Sequence, residues 1–436
     1  MWDNDNTSSK GKPPSLTRPL LNPDFPTSYS RKQQRNRLIL TISALAFFGA
    51  SCVYLSSHLP AIVSTNNVQA QGFWDSSSPA KVVSPGISLN SFEEGLAKCQ
   101  SIVERGQAYT NTTRTRHRNP RAAPKAADTL IRNGHIWLGN SYLEGGQIYL
   151  KNGLIAAVGT DLEVPKDTRI LDAGGRVVTP GVIDMHSHMT VDSLGGLTAS
   201  DDTNEMTSPT TPYVRVIDAL SPTDPGLKIV ASGGITTSLI LPGSGNLMGG
   251  EAAVIKLRPV STLSNQDMLI GAGVSEQDQE IVWRYMKMAC GENPKGYYGG
   301  ELNMMPMTRL GENYLFRRRF EQAQKLMRSQ DDWCDAAARI YETFPVNDEP
   351  VDERKIARLT ERFPEHLDLD SLVALLRKQV NLNVHCYLPQ DIEAMVHHSL
   401  EFDFEIAAFH HALSAWQVPE IIKRAKTNIT IATFAG

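Results

Sequence analysis

The chain is poor in cysteine and in aromatic residues, and neither sign of charge dominates. Five cysteines among 436 residues argue against a disulfide-dense scaffold, and none of them forms the Cys-x-x-Cys pair typical of structural zinc sites. Lysine and arginine number 43 against 47 aspartate and glutamate, so the net charge of −4 gives no indication of nucleic-acid binding. The hydrophobic content of 41% argues against general disorder and against a multi-span membrane protein.

An uncharged apolar segment lies near the amino terminus. Eighteen residues from Leu38 to Leu55 carry no charge, and apolar character resumes at Leu59–Val63. A membrane-spanning helix needs about 20 mostly apolar residues, so we expect one transmembrane helix within 38–63. A cleaved signal peptide is the alternative, but the 37 residues before the segment already exceed the ~15–30 residues of a whole signal peptide.

The charges that flank this segment predict its orientation. Four basic residues lie among positions 31–37, and the next one is Lys81. By the positive-inside rule, residues 1–37 form a cytoplasmic basic tail, and the remainder is lumenal or extracellular. Residues 64–127 are expected to be a linker with one helix, which the capping-box spacing predicts to begin at Ser91.

Two patterns of secondary structure follow the linker. Short β-rich runs separated by Gly and Asn turns predict a small antiparallel β-domain over 128–180. From residue 181 to 436, apolar strands alternate with amphipathic helices. This alternation is typical of an α/β fold with a parallel sheet, and the number of repeats favours a (β/α)₈ barrel of TIM type.

The segment VIDMHSH at 182–188 contains the most informative histidines. Alternate side chains of a strand point to the same side, so His186 and His188 share one face about 6–7 Å apart. At the carboxyl end of a barrel strand, that face lines the mouth where active sites lie. Two such imidazoles suit a divalent metal ion, although two packed histidines would show the same spacing.

Further histidines end two later apolar runs. His385 follows one run, and the adjacent His410 and His411 end the next, where strand alternation predicts that only one of the pair faces inward. Histidines at three strand ends favour a metal site over packed histidines. The adjacent pair His397 and His398 falls on a predicted helix and is expected at the surface.

Several motifs together resemble the amidohydrolase superfamily, and in particular its imidazolonepropionase-related branch. They are GVIDMHSH, the Gly-rich segment Gly243–Leu257, GENPKGYYG at Gly291–Gly299 and the segment Thr308–Gln324. The resemblance covers residues 127–436. It implies a distorted barrel with a composite β-domain, and a metal-dependent hydrolase that acts on C–N bonds of small amides or cyclic amides.

The resemblance also implies the metal ligands. Zinc is the expected ion, and the ligands matched by position are His186, His188, His385 and His411. His411 is preferred to His410 because residues 411–413 fall where the family has a His-Gly-Thr type stretch. Relatives with two metals use a Lys or Glu from a middle strand, for which Glu292 and Lys295 are the nearest candidates.

The family's acid/base is an Asp on an eighth barrel strand, which the sequence does not contain in that place. We therefore expect an incomplete barrel of about seven strands with two open edges, and no catalytic residue is assigned. The alternative hypothesis is an inactive fragment or pseudoenzyme that serves as a tethered binding domain. Deamination and cyclic-ether hydrolysis also suit the four histidines, and the pattern specifies neither disulfide pairing nor oligomeric state.

Overall fold

The computed structural model describes residues 86–108, 117–119, 122, 127–272, 284–344, 353–356 and 358–433. The predicted basic tail and the predicted membrane segment at 38–63 lie outside these residues. Within the described ranges, no helix is both long enough and apolar enough to cross a membrane.

A small sheet of five strands precedes the main one, with strand order β3-β2-β1-β4 and β5 paired to β1. Its strands are β1 (Thr129–Trp137), β2 (Tyr142–Lys151), β3 (Leu154–Gly159), β4 (Arg169–Asp172) and β5 (Val177–Val178). The first three strands pair antiparallel, as expected, but β4 and β5 run parallel to β1. The sheet is therefore mixed, because residues 160–168 carry the chain from one edge of the sheet to the other instead of turning back in a hairpin.

The main sheet has seven strands whose spatial order follows the chain. They are β6 (Val182–Ser187), β7 (Ile235–Ile240), β8 (Met248–Lys256), β9 (Arg284–Ala289), β10 (Val380–Cys386), β11 (Ile406–His411) and β12 (Thr430–Ala432). The prediction of an α/β fold with a barrel-like sheet is confirmed. Among the described residues, β6 and β12 each pair on one side only.

One strand of the main sheet runs against the others. β8 is antiparallel to both β7 and β9, so the prediction of a wholly parallel sheet is wrong at this position. The reason lies in the connection, since residues 241–247 are too few for the crossover of about a dozen or more residues that parallel strands need.

Helices cover the main sheet. They are α1 (Leu89–Ala108), α2 (Gly226–Ser232), α3 (Glu292–Lys295), α4 (Arg309–Tyr341), α5 (Glu353–Ile356), α6 (Asp370–Leu376), α7 (Pro389–Phe402) and α8 (Pro419–Ile422). The 33-residue α4 begins at a cap in which the Thr308 side chain accepts a hydrogen bond from the Gly311 N–H. Phe316 and Phe320 of α4 are buried in the core that also contains Phe402, the last residue of α7.

The helix predicted within the linker is packed onto the domain. It begins near Ser88, whose hydroxyl accepts the Ser91 N–H at 3.3 Å, so the cap lies three residues before the predicted one. Phe92 of α1 is fully buried, with its ring centroid 6.3 Å from that of Trp333 on α4. Helix α1 therefore belongs to the folded domain.

Two disulfide bonds connect cysteines that are distant in sequence. Cys99 of α1 bonds to Cys334 of α4, and Cys290 bonds to Cys386 at the end of β10. The sequence left this pairing open, because which cysteines meet depends on the packing of α1 against α4 and on the register of β9 with β10.

We expect the double variant Cys99→Ser/Cys334→Ser to lower the free energy of unfolding by about 2–4 kcal/mol. The physical reason is that the bond closes a loop with a sequence separation of 235 residues and thereby restricts the unfolded chain. Urea denaturation under non-reducing conditions measures the effect. The conservative variant Ser101→Ala on the same helix serves as control, and equal midpoints for the two variants would contradict the prediction.

Candidate metal centre

The carboxyl ends of β10 and β11 place polar side chains on one face. In this parallel pair, His385 lies beside His410, and on the other side Lys287 of β9 lies beside Asn383 of β10. Residues paired across neighbouring strands point to the same side, and so do residues two apart on one strand. Lys287, Asn383, His385 and His410 therefore share the inner face.

His186 is the centre of a group of five histidines, which we call the histidine cluster. Its Nδ1 lies 2.7 Å from Nδ1 of His410, and its Nε2 lies 3.3 Å from Nε2 of His188. Its ring centroid is 5.1 Å from that of His411, which is in turn 4.6 Å from that of His385. The structure thus brings together all four histidines named as ligands, together with His410.

The two adjacent histidines of β11 both contact His186, although strand alternation predicted that only one would face inward. His410 is fully buried and lies on the inner face by register. His411 ends the strand with a φ of +61°, so the backbone leaves the extended conformation there and its ring is not confined to the opposite face. Alternation along a strand could not predict this local turn.

The partners of two rings fix where their protons lie. The Leu241 carbonyl accepts a hydrogen bond from Nδ1 of His188 at 2.8 Å, so Nε2 of this ring carries a lone pair when the ring is neutral. The Asn383 amide donates to the Asn381 carbonyl and thereby turns its own oxygen towards Nε2 of His410 at 2.8 Å. Nδ1 of His410 then also carries a lone pair.

His186 consequently faces two lone pairs, and when neutral it has one proton to donate. This proton can serve only one of the two short contacts, with His410 or with His188. In the other contact two lone pairs face each other, and a positive charge between the nitrogens would remove the repulsion. A second proton is a poor source of that charge, because burial holds the pKa of His186 far below its ordinary value. The donor set fits a metal cation.

Burial is the largest influence on every ring of the cluster, and the charge of Lys287 is the next. The pKa of His385 and of His410 is lowered to about 3. The pKa of each remaining ring lies below the ordinary 6.5, and these rings are His186, His188 and His411. The neutral imidazole is the form that binds metal ions.

Known proteins similar to this chain are found by sequence and by structure. No protein-family model matches the chain. The amidohydrolase tasK of Hapsidospora irregularis is 41% identical over 360 residues, which is 78% of this chain but 35% of that protein. An allantoinase of Bacillus licheniformis is 33% identical over 115 residues, or 26% of this chain and 20% of its own length.

A solved structure extends the likeness to the fold. An amidohydrolase from Thermotoga maritima superposes with a TM-score of 0.56 at 26% identity, covering 70% of each chain. These likenesses support the amidohydrolase superfamily. The chain spans about a third of the length of tasK, the curated relative that it matches over most of its own residues.

Lys287 is a residue of the inner face that the sequence pattern did not identify as a site residue. Its side chain is fully buried, and within the described part of the chain its ammonium nitrogen has no hydrogen-bond partner. Burial lowers its pKa to about 7. The sequence does contain an indication of this role, because a lysine inside the apolar run YMKMA must face either the core or the site.

The middle-strand candidates named from the sequence lie elsewhere. Glu292 and Lys295 belong to the short helix α3, and Glu292 pairs with Arg309 at 3.2 Å. The residue that a middle strand places beside the histidine cluster is Lys287 of β9, because it shares the inner face with His385 of β10.

The Gly-rich loop before β8 supports the site from one side. Leu241, which begins this loop, holds His188 through its carbonyl group. Gly250 in β8 has a φ of +117°, and a Cβ there would lie 2.4 Å from the Val214 carbonyl oxygen, so only glycine fits. The loop leads directly into β8.

A separate cavity of about 480 Å³ lies at the other end of the strands. Its lining includes Arg284, the first residue of β9, and Gln379, which precedes β10. The histidine cluster lies at the carboxyl ends of the same strands, so this cavity is not part of the candidate metal centre.

Glu312 on α4 makes the stability of the fold depend on pH. Its carboxylate is buried and accepts the Gly291 N–H at 3.1 Å, and burial raises its pKa to about 7. The folded state holds the proton of the Glu312 carboxyl more tightly than the unfolded chain does. The stabilisation that comes from this protonation is therefore fully present below pH 4.5. It is lost as the pH rises from 4.5 to 7.

We expect Glu312→Gln to remove that loss and to stabilise the protein by up to about 3 kcal/mol above pH 7. The amide keeps an acceptor for the Gly291 N–H but carries no charge to bury. Urea midpoints between pH 4.5 and 8 measure the effect, with the exposed Glu342→Gln as control. A pH profile parallel to that of the control would disprove the assignment.

Proposed function

We propose that this protein is a metal-dependent hydrolase that cleaves C–N bonds of small amides or cyclic amides with metal-activated water. The observation that carries the proposal is the convergence of five neutral imidazoles and one buried amine at the carboxyl ends of neighbouring strands. The names of the relatives and the barrel-like fold support the same class of reaction. The activity of the whole protein is part of this proposal.

The proposed ligands are His186, His188, His385 and His411, with zinc as the ion. Imidazole nitrogens are common zinc ligands, and these four rings lie in contact around His186 and His411. A divalent ion bound there would supply a lowered pKa for water and polarisation of the substrate carbonyl. His410 is the alternative to His411 as the fourth ligand, because it has the shorter contact with His186.

The residues around the ligands hold them in one orientation. Leu241 fixes the tautomer of His188, and Asn383 fixes that of His410. The carboxylate of Asp184 accepts the backbone N–H of His186 at 3.0 Å and the hydroxyl of Ser238 at 3.2 Å, which ties β6 to β7 beneath the site. These contacts keep lone pairs directed at the centre of the cluster before any ligand arrives.

Metal analysis and hydrolysis assays on the full chain in detergent test the proposal. We expect stoichiometric zinc and turnover of small amides or cyclic amides, and we propose that the chain belongs to the imidazolonepropionase-related branch. Comparison of His410→Asn with His411→Asn identifies the fourth ligand, since only loss of a ligand abolishes metal retention. Metal-free protein without turnover would favour a tethered binding domain instead.

We further propose that residues 38–63 anchor the protein in a membrane, with residues 1–37 cytoplasmic and the hydrolase domain lumenal or extracellular. The two disulfides support an oxidising compartment for the domain. Alkaline extraction and protease protection of membranes that contain the full chain test this topology. Release at high pH, or digestion of the domain from the cytoplasmic side, would contradict it.

A further inference from the structure

A second group of potential metal ligands lies on α7, apart from the histidine cluster. His397, His398 and Glu401 offer ligand atoms that all lie within 4.8 Å of one another. On a helix, Glu401 shares a face with the residues three and four positions before it, which are these two histidines. The expectation that both histidines are at the surface is wrong for His398, which is 2% exposed, whereas His397 is exposed.

The buried His398 ring presents a lone pair to this group. Its Nε2 lies 2.7 Å from the side-chain oxygen of Asn313, whose amide nitrogen donates to the Arg309 carbonyl at 2.7 Å. This second bond fixes the orientation of the amide, so Nε2 of His398 carries the proton and Nδ1 carries the lone pair. Nδ1 is buried and has no hydrogen-bond partner among the described residues.

The carboxylate of Glu401 lies beside that lone pair. Its Oε1 accepts from Arg317 at 3.0 Å, and its Oε2 lies 3.9 Å from Nδ1 of His398. With a neutral ring, two acceptor atoms face each other here, and a cation in the gap would satisfy both.

The geometry points to a second divalent-metal site formed by Nδ1 of His398, Oε2 of Glu401 and the imidazole of His397. Two imidazoles and one carboxylate suit zinc or a similar transition-metal ion, with water completing the shell. Asn313 and Arg317 of α4 hold the two inner ligands, which is the outer-shell support typical of metal sites. His397 is exposed, so its side chain can rotate to close the group.

The site would join α7 to α4, since its ligands lie on α7 and their supports lie on α4. α7 connects β10 to β11, the strands that contribute His385 and His410 to the histidine cluster. This proposal does not depend on the proposed hydrolysis, because no residue of the α7 group belongs to the histidine cluster.

Zinc titration of the metal-loaded full chain tests the proposal. We expect His397→Ala and Glu401→Gln to bind one zinc fewer than the wild type, or to bind it at least 100-fold more weakly, while hydrolysis stays unchanged. His135→Ala, another partly exposed histidine, is the control and should keep the wild-type stoichiometry. Cu²⁺ added as a spectroscopic probe should show nitrogen hyperfine coupling that His397→Ala diminishes. Equal zinc stoichiometry and affinity in the wild type and His397→Ala would overturn the proposal.

Discussion

Replacing His186 with Asn is expected to release the metal of the histidine cluster and to reduce hydrolysis by about 100-fold or more. His186 contacts His188 and His410 through both ring nitrogens, so no other ring in the cluster can take its central position. Asn keeps a similar polar volume but cannot direct a lone pair to both sides. Metal content by mass spectrometry and initial rates with a cyclic amide measure the two effects.

The control for this variant is His135→Asn, whose histidine lies in the small β-domain and pairs with Glu144. It should keep wild-type metal content and rate. Performing both measurements in the His397→Ala background removes the contribution of the α7 group to the metal count. If His186→Asn retained as much metal as His135→Asn, the histidine cluster would not be the metal centre.

Replacing Lys287 with Met is expected to raise the stability of the fold and to lower the rate of hydrolysis. The lysine amine is fully buried without a hydrogen-bond partner in the described structure, which costs free energy in the folded state. The thioether has similar length and no such cost, so we expect the metal-free variant to gain about 1–3 kcal/mol of unfolding free energy. Hydrolysis should fall about 100-fold or more, because the variant lacks the amine that lies on the same inner face as the histidine cluster.

Chemical denaturation after chelation, combined with rate measurements, tests this pair of expectations. Lys228→Met is the matched control, because Lys228 is exposed on α2 and its replacement should change the unfolding free energy by less than about 0.5 kcal/mol. A variant at position 287 that is less stable than the wild type would show that the amine has a stabilising partner. Wild-type activity would show that the amine takes no part in hydrolysis.

The local pattern predicted the parts of the fold that depend on periodicity. The β-rich runs after residue 128 contain strands, and the apolar runs that end at His186, at His385 and at His411 are strands of one barrel-like sheet. Helix α7 contains His397 and His398, which the pattern placed on a helix. In each case the spacing of apolar residues reports which face is buried, and a strand or helix needs little else to be recognised.

The spacing of apolar residues predicted neither the direction of β8 nor the tautomers of the histidine rings. The direction of β8 follows from a connection too short for a crossover, and the sequence shows the length of that connection but not which strands it joins in space. The proton positions on His188 and His410 depend on Leu241 and Asn383, which are adjacent to these rings in the fold alone.

The histidine spacing by itself determined that a metal site was a strong hypothesis, because His-x-His on one strand and histidines at two other strand ends share an edge in any barrel of this kind. The tertiary structure alone decided that Lys287 joins them, that Cys99 meets Cys334, and that His398 is buried against α4. Sequence periodicity specifies the face on which a side chain lies. Its partners are set by strand register and helix packing between segments that are far apart in the chain.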